Sequence, residues 1–391
     1  MSRREDARVI SLVGLAHAMS HFVQLVLAPL FPMMKEEFGI SYAALGLLFA
    51  VFYTLSAVAQ PLAGFVVDRY GGRNVLLGGL ALQVAGVALI AAAGAYPVLV
   101  AGAALAGLGN SVFHPADFAI LNARISESRL GYAFSGHSIA GYLGFATAPL
   151  FSGTLGPLYG WRVAVGLTAA AGLAILALLV LNYRRLQGAE HHGARRPAVD
   201  VSVVLAPPVL MCFLYFAIYA AGLAGLQGFG VAAMTAQFEV TTTFAAVALT
   251  AYMVGNACGN FAGGFIATRT HRHNRVAAIG LAGSAVTILL VAGALPAEAL
   301  PAAFALAGLS VGATAPSRDL IVRASTPPGA TGRVYGFVYS GLDVGALATP
   351  VFYGWLMDHN QPQAVFYIVT AFTAVAVLTV LSLPGRREAP A

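Results

Sequence analysis

The sequence predicts an all-α polytopic membrane protein, with twelve transmembrane helices in two pseudo-symmetric six-helix bundles. Three observations lead there. Of the 391 residues, 59% are hydrophobic and 9% are charged, against about 25% charged in a soluble domain, and the mean hydropathy is +0.80. Apolar runs long enough to cross a hydrocarbon layer, about 20 residues each, follow one another along the whole chain. The second half also repeats the first at a shift of about 200 residues. So few charges cannot cover the surface of a water-soluble enzyme or secreted protein of this size. The net charge of +6 is not a nucleic-acid footprint, because the arginines sit in short loops between apolar runs and not on one face. The expected partners are the lipid bilayer, a small-molecule substrate and protons, with no nucleic acid; a monomer is expected.

The twelve runs lie near 9–33, 43–67, 75–94, 97–122, 131–155, 161–182, 204–236, 243–267, 276–294, 299–322, 333–356 and 364–383. The alternation of a β-barrel is absent, so helices are the viable spanning structure. The first run lacks an A-x-A cleavage site and reads as a span, not a signal peptide. With the N-terminus inside, eighteen of the twenty-one basic residues fall on the cytoplasmic side. Lys35 and Arg162 fall outside, and Arg318 lies within a span. This bias obeys the positive-inside rule and places both termini in the cytoplasm of a bacterial inner membrane. The expected organisation is an N-terminal bundle at 1–183, a cytoplasmic linker at 184–203 and a C-terminal bundle at 204–391. The basic linker, with His191 and His192, reads as a solvated strap beside anionic headgroups. Cys212 and Cys258 form no CxxC pair and read as small buried residues.

The repeat is visible residue by residue. Phe38-Gly-Ile-Ser41 matches Phe238-Glu-Val-Thr241, and Gln60 with Gly64-Phe65 matches Asn260 with Gly264-Phe265. Gly107 and Pro115 match Gly308 and Pro316, while Gly144, Pro149 and Gly153 match Gly345, Pro350 and Gly354. Two parallel six-helix repeats imply alternating access around a midplane site.

The loop after the second run reads Gly64-Phe-Val-Val-Asp68-Arg69-Tyr-Gly-Gly72-Arg73. It resembles the signature loop of the major facilitator superfamily, with Asp68, Arg69 and Arg73 in the matching places. The resemblance implies a gate in these three residues; an acid at a helix end can pair with arginines and with a facing helix N-terminus. The second copy reads Gly264-Phe-Ile-Ala-Thr268-Arg269 and has no acid. Gly144, Pro149 and Gly153 in the fifth run resemble the glycine–proline motif of the superfamily's antiporters, although small residues also serve close packing. Ser20-His21 and Leu108-Gly-Asn110-Ser-Val-Phe-His114-Pro115, with the whole-chain layout, are similar to the fosmidomycin-resistance branch. That resemblance implies export of small polar or anionic compounds. The branch's acid after His-Pro is replaced here by Ala116, with Asp117 one position on.

An ionisable side chain costs about 2.5–3.5 kcal/mol to bury in a bilayer on insertion scales, so each one marks a candidate site. In the first run His17, His21 and Gln24 are spaced i, i+4, i+7 on one face, with the histidines roughly 12–18 Å along the helix from its start. In the fourth run Asn110, His114 and Asp117 have the same spacing, with Pro115 between them to kink the helix. In the fifth, His137 shares a face with Gly141 and Gly144. The second half carries Arg318 and Asp319 in the tenth run, and Tyr335, Tyr339 and Asp343 in the eleventh. Asp319 and Arg323 are expected to pair at a helix end, and Arg318 is expected to face Asp343. Tyr252, Asn256 and Asn260 share a face in the eighth run.

These residues divide into candidate substrate contacts (His17, His21, Gln24, Asn110, His114, His137, Arg318 and Tyr339) and candidate proton-coupling groups (His114, Asp117 and Asp343). No enzyme constellation and no Walker-type phosphate loop occur, so neither a catalytic reaction, a cofactor nor ATP-driven transport is expected. The leading expectation is proton-coupled secondary transport, in the direction of efflux by proton antiport. The alternatives are import of an organic anion by proton symport, and transport of a transition metal or metal chelate, since imidazoles and a carboxylate suit such ions. No resident metal site is assigned from the sequence.

Overall fold

The computed structural model describes residues 3–126, 129–187, 203, 205–293, 295–327 and 331–383. The greater part of the expected linker, including His191 and His192, lies outside the described residues, as does Arg333's side chain. Contacts divide the chain into two units, residues 1–195 and 196–391. The regular elements among the described residues of each are helices.

The first unit contains α1 (Arg3–Val26), a short 3-10 turn and α2 (Phe31–Phe38), which together make the first span. It continues with α3 (Tyr42–Tyr70), α4 (Gly72–Ala91), α5 (Tyr96–Asn110), α6 (Phe113–Arg124), α7 (Leu130–Tyr159) and α8 (Trp161–Leu181). The second unit contains α9 (Pro207–Phe238), α10 (Thr242–Thr268), α11 (His273–Gly293), α12 (Leu300–Gly312), α13 (Ala315–Ala324), α14 (Thr331–Ala348), α15 (Pro350–Asp358) and α16 (Pro362–Ser382). Twelve spans result, because α5–α6, α12–α13 and α14–α15 are broken pairs. Nine helical segments among the described residues are long and apolar enough to cross a membrane on length and composition alone. The fifth, eighth and eleventh spans (α7, α10 and α14–α15) complete the set; their glycines, serines and threonines dilute the apolar signal.

Proline explains the breaks. Pro115 and Pro316 have no N–H, so the helix cannot bond the carbonyl four residues back. The chain steps through Ser111–Val112 and through Ala313–Thr314 before resuming. Pro350 interrupts the eleventh span at Thr349, whereas its repeat partner Pro149 stays inside an unbroken α7.

The repeat extends to caps and contacts. Ser41 Oγ accepts from the Ala44 N–H at 3.0 Å and starts α3, and Thr241 Oγ1 accepts from Phe244 N–H at 3.2 Å and starts α10. The preceding helices end in a left-handed residue, Gly39 at φ 61° and Glu239 at φ 54°. Spans then meet backbone to backbone. A Cβ on Gly144 would lie 2.1 Å from the Ala18 carbonyl oxygen, and one on Gly345 would lie 2.2 Å from that of Ala217. Gly107 on Phe52 and Gly308 on Tyr252 repeat the relation at 2.4 and 2.0 Å. These contacts press α7 onto α1, α14 onto α9, α5 onto α3 and α12 onto α10.

The ends of the first unit are tied by charge. Arg129 pairs with the buried Asp6 at 2.8 Å, and Arg185 with Glu5 at 2.8 Å. At the opposite end Glu37 accepts from Trp161 Nε1 at 2.5 Å and pairs with Arg162, which also donates to the Ala93 carbonyl at 2.6 Å. One sequence expectation fails: Cys212 is buried but Cys258 is exposed. Gly255 and Gly259 carry the packing of α10 on α12, and Cys258 falls off that face.

A non-glycine residue in the left-handed region costs about 1–3 kcal/mol. Glu239→Gly is therefore expected to raise thermal stability in detergent by about 1 kcal/mol, and Gly39→Ala to lower it by a similar amount. Parallel thermal unfolding of both variants checks the opposite signs.

Candidate functional site

Three spans of the first unit bring their ionisable side chains together. His17 and His21 come from α1, His114 and Asp117 from α6, and His137 from α7. Asp117 is the centre. Its side chain is fully buried, and its Oδ2 lies 3.0 Å from His137 Nε2 and 3.3 Å from His17 Nδ1. The His137 contact is a hydrogen bond; the His17 contact is close enough for an ion pair, but His17 Nδ1 is off the hydrogen-bond line. The His17 and His137 rings stack with centroids 3.6 Å apart and planes 25° apart. His21 Nε2 lies 3.1 Å from His17 Nε2. His114 completes the group, its ring 5.1 Å from His17 and 6.1 Å from His137. His17 and His137 are buried, His21 is half-buried and His114 is exposed, so the cluster is open on one side.

The local sequence explains the convergence. Spacing of four places His17 and His21 on one face of α1. Gly141 faces that pair: a Cβ there would lie 3.0 Å from His17 Nε2 and 3.2 Å from His21 Cδ2. Gly144, one turn on, takes the Ala18 carbonyl. Two glycines of α7 thus admit α1 closely enough for the His17 ring to stack on that of His137. Phe118 and Phe145 wall the group, Phe145 meeting His21 edge-on at 4.2 Å.

The expected stripe of Asn110, His114 and Asp117 does not hold as one surface. The break at Ser111–Val112 separates Asn110 from the other two. Asn110 Nδ2 donates to Ser56 Oγ at 2.9 Å, while its Oδ1 accepts from Gln24 Nε2 at 3.3 Å and from Gln83 Nε2 at 3.4 Å. Tyr53 donates to Gln24 Oε1 at 3.4 Å. Gln24 and Asn110 therefore form a second, amide-rich cluster. Its other members, Tyr53, Ser56 and Gln83, escaped the sequence reading. Gln83, a glutamine within the apolar run at 75–94, was the signal the sequence offered.

The second unit holds a different group. The Arg318 guanidinium lies over Phe216 at 4.8 Å and near Tyr339 at 5.9 Å. Its Nε donates to Asp319 Oδ1 at 3.1 Å, and Tyr339 donates to the same oxygen at 2.8 Å. Tyr335 donates to the Asp319 backbone carbonyl at 3.1 Å. Two expectations are corrected here. Asp319 bonds Arg318 and Tyr339, and no Asp319–Arg323 ion pair forms among the described residues. Asp343 does not face Arg318: it is half-buried one turn past Tyr339, with no ion pair to Arg318. Asp319 lies beside both Arg318 and Tyr339 and captures them locally.

The loop residues sit at the junction of α3 and α4. Asp68 and Arg69 are exposed at the end of α3. Gly71 turns the chain at φ 81°, and Gly72 abuts the Ala116 carbonyl. Arg73 stacks on Tyr183 at 3.5 Å and donates to its carbonyl at 3.4 Å.

Two six-helix repeats with polar clusters buried inside an apolar frame define a polytopic membrane carrier. A family model described as Major Facilitator Superfamily matches residues 13–230 and 220–391, and the chain belongs to that superfamily. It is a multi-pass membrane transporter and not an enzyme. Along 98% of its length it is 24% identical to the fosmidomycin resistance protein of Escherichia coli (strain K12), covering 95% of that protein. Over 40% of its length it is 32% identical to multidrug resistance protein MdtG of Citrobacter koseri, covering 39% of it. Among solved structures it superposes on a bacterial homolog of the human lysosomal transporter Spinster with a TM-score of 0.79 at 16% identity, covering 100% of both chains. The nucleoside transporter NupG gives a TM-score of 0.80 at 13% identity, over 96% of this chain and 99% of that one.

Removing one partner of a buried hydrogen-bonded pair typically costs about 1–3 kcal/mol, because the other group is left unsatisfied. His137→Phe is expected to lower stability on that scale, and adding Asp117→Asn to the same chain is expected to restore much of the loss. Thermal unfolding of the single and double variants measures the recovery.

Proposed function

We propose that the chain is a proton-coupled secondary carrier that exports a small polar or anionic compound by alternating access. The buried Asp117 carboxylate, held by His137 and flanked by three further imidazoles, is the observation that carries this reading. A charged group at such depth is costly unless it serves binding or coupling. His17, His21, His114 and His137 act as polar contacts for the cargo, with Gln24 and Asn110 extending the contacts along α1 and α5. In the second unit Arg318 and Tyr339 supply a charged and a phenolic contact. Asp343, with His114 and Asp117 in the first unit, carries the coupled proton. An acid of this kind must be protonated in one facing state and ionised in the other, so its environment changes with access to water. Asp68, Arg69 and Arg73 form the gate, with Arg73 anchored on Tyr183. The names of the fosmidomycin and multidrug resistance relatives support efflux. The bias of basic residues supports a bacterial inner-membrane location with both termini cytoplasmic, and we expect the carrier to work as a monomer.

The test is flux from proteoliposomes under an imposed pH gradient, with fosmidomycin as the first anionic probe. Asp343→Asn is expected to abolish uphill transport while leaving exchange of probe across the membrane. Full gradient-driven flux in both Asp343→Asn and Asp117→Asn removes the coupling assignment. Asp68→Asn is expected to slow turnover several-fold with probe binding nearly unchanged, since a gate does not touch cargo. Reporter fusions at Arg195 and Arg386 should both give cytoplasmic activity; a periplasmic signal from either contradicts the topology.

A further inference from the structure

The histidine cluster has a property that polar-cargo binding does not require. One ring nitrogen from each of His17, His114 and His137 lies within 4.8 Å of the others. Zinc-class ions bond imidazole nitrogen at about 2.0–2.1 Å, which puts tetrahedral ligand atoms roughly 3.4 Å apart. The three nitrogens therefore need to close by an amount within reach of side-chain rotation. They also come from three separate spans, so the framework that holds them is the packed first unit and not one mobile loop.

We propose that His17, His114 and His137 form a binding site for a divalent transition-metal ion of the zinc, cobalt and nickel class. Asp117 plays the part that carboxylates commonly play behind metal-bound imidazole, taking the other ring N–H and fixing orientation. It bonds His137 Nε2, which leaves His137 Nδ1 for an ion; His21 takes His17 Nε2, which leaves His17 Nδ1, a buried nitrogen with no hydrogen-bond partner that lies beside Asp117. A second observation points the same way. Asp117 Oδ1 and His21 Nδ1 are buried polar atoms with no hydrogen-bond partner, and buried orphans of this kind mark a place where something polar is received. The carboxylate supplies negative charge to balance a cation that the surrounding apolar helices cannot. His114 is exposed, which provides an entry path and leaves a coordination position open to water or a further ligand. Imidazole with one carboxylate selects borderline transition ions over calcium or magnesium, which prefer all-oxygen shells. Because the ligands bridge α1, α6 and α7, a bound ion would also cross-link three spans that a rocking carrier must keep in register.

The experiment needs no flux, so its failure leaves the carrier reading standing and the reverse also holds. Full-length protein without a polyhistidine tag is stripped with chelator in detergent and titrated with cobalt(II), followed by visible absorption and calorimetry, with zinc as competitor. One ion per chain with a tetrahedral-type cobalt spectrum is expected. His114→Ala, whose side chain is exposed and whose loss spares the core, should weaken binding by at least about tenfold, and Asp117→Asn by about 10–100-fold. His273→Ala and His359→Ala should bind as the parent does. Zinc should raise the melting temperature of the parent but not of His114→Ala. Absence of cobalt uptake by the parent at millimolar ion overturns the proposal. So does weak multi-site binding that survives in both His114→Ala and His137→Ala with folded thermal profiles.

Discussion

Backbone contact between spans is the constraint on which the rest depends. In a bilayer, helices gain little from burying apolar surface against one another, because lipid is equally apolar. Attraction must come from close approach. Gly144 against the Ala18 carbonyl and Gly107 against the Phe52 carbonyl provide it in the first unit; Gly345 against Ala217 and Gly308 against Tyr252 provide it in the second. At such distances any side chain would force the helices apart, and weak Cα–H···O contacts add to dispersion. The polar clusters exist because these glycines let the frames close around them. The His17 and His137 rings stack only as far as α7 can approach α1, and Gly141 and Gly144 set that approach.

The two halves share a frame but not a chemistry. Caps at Ser41 and Thr241, left-handed turns at residues 39 and 239, and proline breaks before residues 115 and 316 recur at a shift of about 200. The side chains inside diverge. Where the first unit has His17 and His21, the second has Ala217 and Ala221; where the first has Asp117, the second has Arg318. The first unit therefore buries a carboxyl group among imidazoles, and the second holds a guanidinium against aromatic rings and an adjacent acid. Packing requirements preserve the frame, since each glycine contact is intolerant of volume. Lining residues are freer to differ, because a polar side chain needs a partner but not a particular one.

Much of this architecture was legible in the chain itself. Hydropathy and length determine twelve spans because an unsatisfied backbone in lipid leaves no alternative to helix. The repeat is readable because the glycines and prolines that carry it are irreplaceable for backbone reasons. His17 and His21 share a face because their spacing of four is a local property, and Gly141 belongs with His137 for the same reason.

What tertiary structure decided is which polar groups meet. Asn110, His114 and Asp117 look like one stripe, yet the break at Ser111–Val112 turns Asn110 toward Ser56, Gln24 and Gln83 and leaves Asp117 to the histidines. Arg318 looks destined for Asp343 at a distance, yet it bonds its own neighbour Asp319, to which Tyr339 also donates. Periodicity reports direction along an unbroken helix. It carries no information about how far a proline break rotates the next turn, or about which facing helix comes near enough to supply the partner. Those quantities depend on the packing of several spans at once, and that packing is where this protein's binding chemistry is assembled.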